Sequence, residues 1–159
     1  MAALDVLLVR IDGEPPASSA WHALFDCAGP VSIALNDAPT RLRVHDATPG
    51  APLAFGDDAQ AHAPDANQLQ ALLDSGALKR GRNKITYTLA TAPPTAFDAW
   101  LHVVDAASPL VVFDIDGTVT SSDLAGHVGA VFNVAFIHPG VCEFACRLQS
   151  RGYEILFLT

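Results

Sequence analysis

Cysteine is scarce. Cys27, Cys142 and Cys146 are the only three in 159 residues, too few for a disulfide framework and wrongly spaced for a four-ligand zinc site. Basic residues are scarce as well: nine Lys and Arg against seventeen Asp and Glu give a formal charge of −8. That balance argues against broad electrostatic binding to nucleic acid or to an anionic bilayer. No apolar run approaches membrane-spanning length, so no transmembrane segment is expected. The opening Met1-Ala2-Ala3-Leu4-Asp5 has neither a basic region nor a signal-type apolar core, and secretion is not expected. The six histidines show no metal-ligand spacing, and His22, His45, His62 and His102 read as ordinary residues. Cys142 and Cys146 lie four apart on one helical face and read as small buried thiols.

What is present is a globular composition, half apolar with a modest 16% charged, of a length that suits one domain or two small ones. Residues 1 to about 57 alternate and turn like antiparallel β structure. Strands are expected at 4–11, 21–26, 31–35 and 41–45, with turns at Asp12-Gly13 and Asn36-Asp37-Ala38-Pro39. Short strands at this even spacing suggest a sandwich. Residues 56–68 lack any large apolar side chain and read as a linker, and 68–75 as a short helix closed by Gly76. Residues 79–84 then hold four of the nine basic side chains. They could touch a lipid phosphate, but a solvated turn ahead of a strand at 85–89 is the favoured reading. A further strand is expected at 99–104.

The most informative stretch is Leu110-Val111-Val112-Phe113-Asp114-Ile115-Asp116-Gly117-Thr118-Val119-Thr120. Its continuously apolar start reads as a strand buried on both faces, as in a parallel sheet, and in such sheets chemistry sits just beyond the carboxyl ends of the strands. Asp-Gly is also a common turn pair, yet the strand before it and Thr118 after it favour chemistry. An aspartate at a strand tip can attack phosphorus and split one hard displacement into two easier ones, which suits Asp114. A carboxylate beside a phosphate calls for a hard cation, and Mg2+ fits because it needs few protein oxygens. Asp116, two residues on, is placed to protonate the leaving alcohol and later to activate water. Thr118 can donate a hydrogen bond to a phosphoryl oxygen. After the motif, a helix at 139–151 and a strand at 153–158 complete the order strand, crossover, helix, strand, the start of a parallel α/β unit.

The apolar strand followed by Asp-x-Asp-Gly-Thr resembles the first motif of the haloacid-dehalogenase superfamily of phosphatases. The continuation through Ser121-Ser122-Asp123-Leu124-Ala125-Gly126-His127, with His138-Pro139-Gly140-Val141 and Arg151-Gly152-Tyr153-Glu154-Ile155-Leu156, is similar to the catalytic opening of the lipin family of phosphatidate phosphatases. A second, distant stretch, Ala3-Leu4-Asp5-Val6-Leu7-Leu8-Val9 with Ser19-Ala20-Trp21-His22-Ala23-Leu24-Phe25 and Pro52-Leu53-Ala54-Phe55-Gly56, resembles the lipin amino-terminal region. The family usually begins with an amphipathic helix, while here the first strand is expected directly at 4–11, so membrane docking unaided by such a helix is not expected.

The resemblance implies an α+β protein overall. An immunoglobulin-like β-sandwich at 1–106, with its linker at 56–68, would be followed at 107–159 by the start of a Rossmann-like α/β haloacid-dehalogenase domain. It implies Mg2+-dependent hydrolysis of phosphatidate at a membrane surface. Asp114 would be nucleophile and metal ligand, and Asp116 acid/base with its carbonyl on the metal. Thr118 and Thr159 would hold the phosphoryl group. A cytoplasmic protein, peripheral at the endoplasmic reticulum membrane, is implied as well. The other reading is a phosphatidate-sensing module without catalysis, like the related domains of phosphatidylinositol-transfer proteins, against which the retained Asp114 weighs. A generic small-molecule phosphatase is a third. The chain stops at the second of four expected motifs, like a truncated gene model, and is expected to be inactive by itself.

Overall fold

The computed structural model describes residues 2–115, 119–120 and 137–158. It is a mixed α+β structure that divides into two compact units, Met1–Ala106 and Ala107–Thr159.

The first unit is organised by one long hairpin. Strand β7 (Gly81–Leu89) pairs antiparallel with β8 (Thr95–Asp105) over nine consecutive residue pairs. On one side β8 pairs in parallel with β2 (Val6–Arg10), which carries the short edge strand β3 (Ala17–Ser18). On the other side β7 pairs with β5 (Val31–Leu35), followed by β6 (Ala38–Pro39). The order across this six-stranded sheet is β3-β2-β8-β7-β5-β6. A separate ribbon joins β1 (Ala2–Ala3) to β4 (Ala23–Leu24).

Alternate residues of the sheet point to one core, as the two-residue period of a strand requires. Val6 and Leu8, Ile33 and Leu35, Ile85, Tyr87 and Leu89, and Leu101 and Val103 are all buried in it. Trp21, Phe25, Leu53 and Phe55, from loops and turns, and Leu69 of helix α1 (Ala66–Asp74) close it over. The Trp21 and Phe55 rings meet edge to face at 5.6 Å, and Phe97 lies 5.1 Å from Phe25 and 5.6 Å from Tyr87.

Several expectations change here. The strand at 21–26 shrinks to Ala23–Leu24, and 41–45 contributes only the bridge between Val44 and Phe55. The large side chains there are spent filling the core from irregular backbone. Strands 85–89 and 99–104 are much longer than their apolar runs suggest, because the outer face of the hairpin tolerates charge. Helix α1 starts at Ala66, earlier than expected, because Asp65 and Gln68 form a capping box. The Asp65 carboxylate accepts from the Gln68 amide at 2.8 Å, and the Gln68 side-chain oxygen accepts from the Asp65 amide at 3.0 Å. The stretch read as a linker is anchored in its second half. The His62 carbonyl accepts from the Trp21 amide at 2.7 Å, the Ala61 carbonyl from the Phe55 amide at 2.7 Å, and Pro64 is buried.

The deepest polar group is Asn83, with no exposed surface, on the inner face of β7. Its side-chain oxygen accepts from the Lys79 amide and from Asn36 Nδ2, both at 3.0 Å. Its nitrogen donates to the carbonyls of Lys79 at 2.7 Å, Gly81 at 2.9 Å and Leu101 at 3.4 Å. Asn36 and Asp37 form the two-residue turn between β5 and β6, both with positive φ (50° and 66°), the pattern that matches strand twist in a tight hairpin. Asn36 also exchanges hydrogen bonds with the backbone of Lys84 and donates to the Ala77 carbonyl. The network thus ties the sheet edge, the 77–81 turn and β8 to one side chain.

Replacing Asn83 with Leu should destabilise the first unit by about 2–4 kcal/mol, since it strands several buried donors and acceptors. Urea unfolding followed by tryptophan fluorescence reads this out, and a loss under about 1 kcal/mol would show the network to be dispensable. Tyr87 gives the opposite case. It is fully buried, and its hydroxyl finds no hydrogen-bond partner among the described residues. Tyr87→Phe should therefore leave stability unchanged or raise it by about 1 kcal/mol. Burial also pushes the Tyr87 phenol well above its ordinary value. The unfolded chain then sheds a proton that the folded one keeps, so this contribution is whole below about pH 10 and is lost as pH rises beyond it. That alkaline fall should flatten in Tyr87→Phe, measured by urea midpoints between neutral and strongly alkaline pH.

Candidate active site

The second unit places Asp114. Strand β9 (Leu110–Asp114) pairs in parallel with β10 (Glu154–Leu158), and the register sets Asp114 opposite Leu158 at the carboxyl ends of both strands. Four apolar residues on each strand, 110–113 and 155–158, explain why they pair. The connection includes helix α2 (Val141–Ser150), whose amino end follows Gly140 in a left-handed conformation, φ 84°. Pro139 stands just before the helix rather than within its first turn.

Alternation along β9 turns Val111 and Phe113 to one face and Leu110, Val112 and Asp114 to the other. The Phe113 ring stacks on Phe157 at 5.8 Å and meets Phe144 of α2 edge to face at 6.2 Å. This aromatic trio lies on the face of the strand away from Asp114, with Phe144 and Phe157 still over half exposed. The opposite face is open: Leu110 and Val112 are 41% and 47% exposed. The expected burial on both faces is therefore not found: one face is open and the other only half-buried, and among the described residues α2 is the helix packed on this pair. Cys142 and Cys146 are exposed, against the expectation of buried thiols, because the helix turns Val141, Ala145 and Leu148 inward instead.

Beyond Asp114 the backbone closes on itself. The Ile115 carbonyl accepts from both the Thr120 amide at 2.9 Å and the Thr120 hydroxyl at 3.1 Å. Thr120 then bridges to Ile137, and the Val119 carbonyl accepts from the His138 amide at 2.9 Å. Two described ends, 119–120 and 137–138, are thus clasped together beside the strand tip. Asp114 itself is exposed there. Asp116 and Thr118, Thr159, and the motif residues Asp123, Gly126 and His127 lie outside the described residues. Thr159 follows Leu158 directly in sequence. Neither the aromatic trio nor the Thr120 clasp has a clear sequence signal, since each depends on residues brought together only by pairing.

The basic residues at 79–84 belong to the first unit and are largely neutralised. Arg80 faces Asp105 at 3.4 Å, Arg82 lies 4.2 Å above the Trp100 ring, and Lys84 contacts Asp37 at 3.2 Å and Asp98 at 3.3 Å. The hydrogen bonds to Asp37 and Asp98 raise the Lys84 pKa, and the Thr86 hydroxyl, with Lys84, lowers that of Asp98. His102 is lowered by burial, with Asp5 opposing. The favoured solvated turn fits Lys79 and Arg80, exposed just before β7, but not Arg82 and Lys84, which are strand residues with partners across the sheet. A concavity of about 540 Å³ lined by Arg10, Asp12, Glu14 and Asp74, among others, holds none of the expected site residues.

The sequence model of the LNS2 (Lipin/Ned1/Smp2) family matches residues 63–159, well over half of the chain. The chain belongs to that family. The matched span takes in helix α1, the β7/β8 hairpin and all of the second unit. Among curated proteins, the chain is 45% identical over 51 residues to phosphatidic acid phosphohydrolase 1 of Saccharomyces cerevisiae, covering 32% of the chain and 6% of that protein. It is 33% identical over 86 residues to nuclear elongation and deformation protein 1 of Schizosaccharomyces pombe, 52% of the chain and 12% of that protein. Phosphatidate phosphatase PAH1 of Arabidopsis thaliana is 30% identical over 84 residues, 52% of the chain and 9% of that protein. The matched segments thus span only a small part of the relatives' length. Among the described residues no helix is long and apolar enough to cross a membrane.

The clasp offers a direct check. Thr120→Val removes the hydroxyl donor to Ile115 at nearly constant volume, and should cost about 0.5–1.5 kcal/mol of local stability. Hydrogen exchange at the amides of Thr120 and His138 should accelerate correspondingly, while the amides of the β7/β8 hairpin stay unchanged.

Proposed function

We propose that this chain carries the opening part of the catalytic domain of a Mg2+-dependent phosphatidate phosphatase, releasing diacylglycerol and phosphate. The observation that carries the reading is Asp114, exposed at the carboxyl end of a strand in a parallel pair, inside the segment that matches the LNS2 family. The parallel β9–α2–β10 arrangement supports a Rossmann-like domain of haloacid-dehalogenase type. The one-sided packing of the six-stranded sheet, with the β1/β4 ribbon beside it, supports an immunoglobulin-like reading of 1–106, with the catalytic part starting at 107.

In this reading the Asp114 carboxylate attacks phosphorus as the bond to the diacylglycerol oxygen breaks, and Asp116 gives that oxygen its proton. Asp116 then takes a proton from the water that cleaves the aspartyl-phosphate, which restores Asp114 and frees phosphate. Thr118 and Thr159 donate hydrogen bonds to the phosphoryl oxygens. The Asp114 carboxylate is a hard oxygen donor of the kind Mg2+ prefers, and with the Asp116 carbonyl it would hold the ion. Mg2+ bound there supplies charge neutralisation for the approaching phosphate. Among the described residues no three metal-binding side chains cluster, so Asp114 is the one described contributor. A cytoplasmic protein that meets phosphatidate at the endoplasmic reticulum surface completes the proposal.

The test uses the longest form of the protein that carries this chain, assayed for Mg2+-dependent phosphate release from phosphatidate in mixed micelles. Asp114→Asn should abolish turnover, by at least about a thousandfold, with an unchanged circular dichroism spectrum. Retained turnover in the variant would sink the covalent mechanism. Phosphatidate-dependent vesicle binding without turnover in the parent would favour the sensing module instead. The isolated 159 residues should show no release above the Asp114→Asn blank.

A further inference from the structure

A groove of about 340 Å³ lies between the segment 38–42, which follows the β5–β6 turn, and the side and end of helix α1. Ala38, Pro39 and Leu42 line one wall and Ala71, Leu72 and Ala77 the other, so the lining is mostly apolar. Leu42 and Leu72 rest on the buried core. The walls are fixed by hydrogen bonds. The Thr40 amide donates to the Ile33 carbonyl at 2.9 Å, and the Asn36 side chain donates to the Ala77 carbonyl at 3.0 Å. The polar side chains on the lining are Thr40, Arg41, Gln68 and Ser75. Two are committed within the chain: the Thr40 hydroxyl donates to the Ile33 carbonyl at 2.8 Å, and the Ser75 hydroxyl to the Leu72 carbonyl at 3.0 Å. The Gln68 side-chain oxygen is taken by the Asp65 amide, which leaves its nitrogen, a donor. Arg41 is exposed and has no ion pair among the described residues, whereas Arg43 pairs with Asp57 at 3.0 Å. The side-chain groups left over are therefore donors, one of them a cation, and among the described residues no carboxylate lines the groove. In a chain of net charge −8 this is a local reversal of sign.

We propose that this groove binds a small apolar carboxylate of the medium-chain fatty-acid class, its hydrocarbon against Leu42 and Leu72 and its carboxylate on Arg41 and the Gln68 amide. Hydrocarbon leaves water for apolar walls, and a guanidinium takes a carboxylate through parallel N–H donors. The volume falls in the lower part of the range of small-molecule pockets, about 300–1,000 Å³, which are likewise mostly apolar with a few placed polar groups. The lining has none of the aromatic anchors that a protein partner would use. Two other concavities of the first unit fit such a ligand less well. The one of about 540 Å³ brings Asp12, Glu14 and Asp74, which repel a carboxylate, and the one of about 230 Å³ beside Leu4 has apolar walls but no cation. The groove belongs to the first unit and does not depend on the chemistry proposed at Asp114.

The experiment titrates octanoate, decanoate and octanol into the full 159-residue chain at neutral pH, followed by amide chemical shifts. Octanoate should saturate with a dissociation constant below about 1 mM, and decanoate, two methylenes longer, should bind roughly tenfold tighter. Octanol has the same chain length without the charge and should bind at least about fivefold more weakly than octanoate. The shift changes should centre on residues 38–42 and 68–77. Arg41→Gln should weaken octanoate by about five- to tenfold and leave octanol unchanged, whereas Arg43→Gln, next but one along the chain, should alter neither. Ala71→Phe, at an exposed helix position on the groove wall, should fill the groove and weaken both ligands. If circular dichroism shows that Ala71→Phe misfolds, Arg41→Gln decides alone. No saturation by decanoate at about 1 mM, equal affinity for octanol and octanoate, shift changes that spare the groove, or octanoate binding unmoved by Arg41→Gln overturns the proposal.

Discussion

The first unit depends on a single buried carboxamide. Asn83 sits on the inner face of a central strand, where an apolar residue would normally stand, and gives every hydrogen-bonding position of its amide a partner. A buried network is worth having only when it is complete, because each group left unmade costs its full desolvation. Here completeness depends on Asn36, whose left-handed conformation aims its side chain back across the sheet edge. The β5–β6 turn, the 77–81 turn and the β7/β8 register are therefore coupled. A slip of one residue in that register would turn Asn83 outward and Lys84 into the core.

The second unit shows the same dependence on neighbours in a different form. A parallel pair of strands cannot be stable as a two-stranded ribbon in water, and helix α2 covers one face through the Phe113, Phe144 and Phe157 rings. The other face presents Leu110 and Val112 together with Asp114. The Asp114 carboxylate is thus on the solvent side of the strand, with the Phe113, Phe144 and Phe157 rings grouped on the other side and the Thr120 clasp closing the backbone beyond it. In the proposed function this exposure is what gives Asp114 access to a phosphate.

Charge is used conservatively. The outer face of the hairpin carries Arg82 and Lys84 on β7, and Asp98, Trp100 and His102 on β8, arranged so that each cation has an anion or a ring across the ladder. The basic cluster that stands out in the sequence is, in three dimensions, a set of satisfied cross-strand pairs. These pairs are exposed and contribute little to stability, but they consume the positive charge locally. Electrostatic attraction to an anionic surface is correspondingly weak there.

Much of this was legible from the chain alone. The parallel strand pair, the helix between its strands and the position of Asp114 at a strand end follow from apolar runs, a proline and glycines, because those signals are local and the backbone obeys them locally. The capping box at Asp65 and Gln68 is as local a signal, yet the apolar pattern of α1 begins only at Leu69 and points to a later start. Sequence could not show that 21–26 and 41–45 are mostly irregular, because alternating apolar residues look the same whether a strand or a loop delivers them to a core. Nor could it show Asn83 as the centre of a network, the Thr120 clasp or the neutralised basic cluster, each of which joins residues with no common local pattern. Residue types and their spacing determined which chemistry is available and which end of a strand carries it. The tertiary structure alone decided which side chains are buried, paired or left facing water, because burial and pairing are relations between segments, and no segment contains its own neighbours.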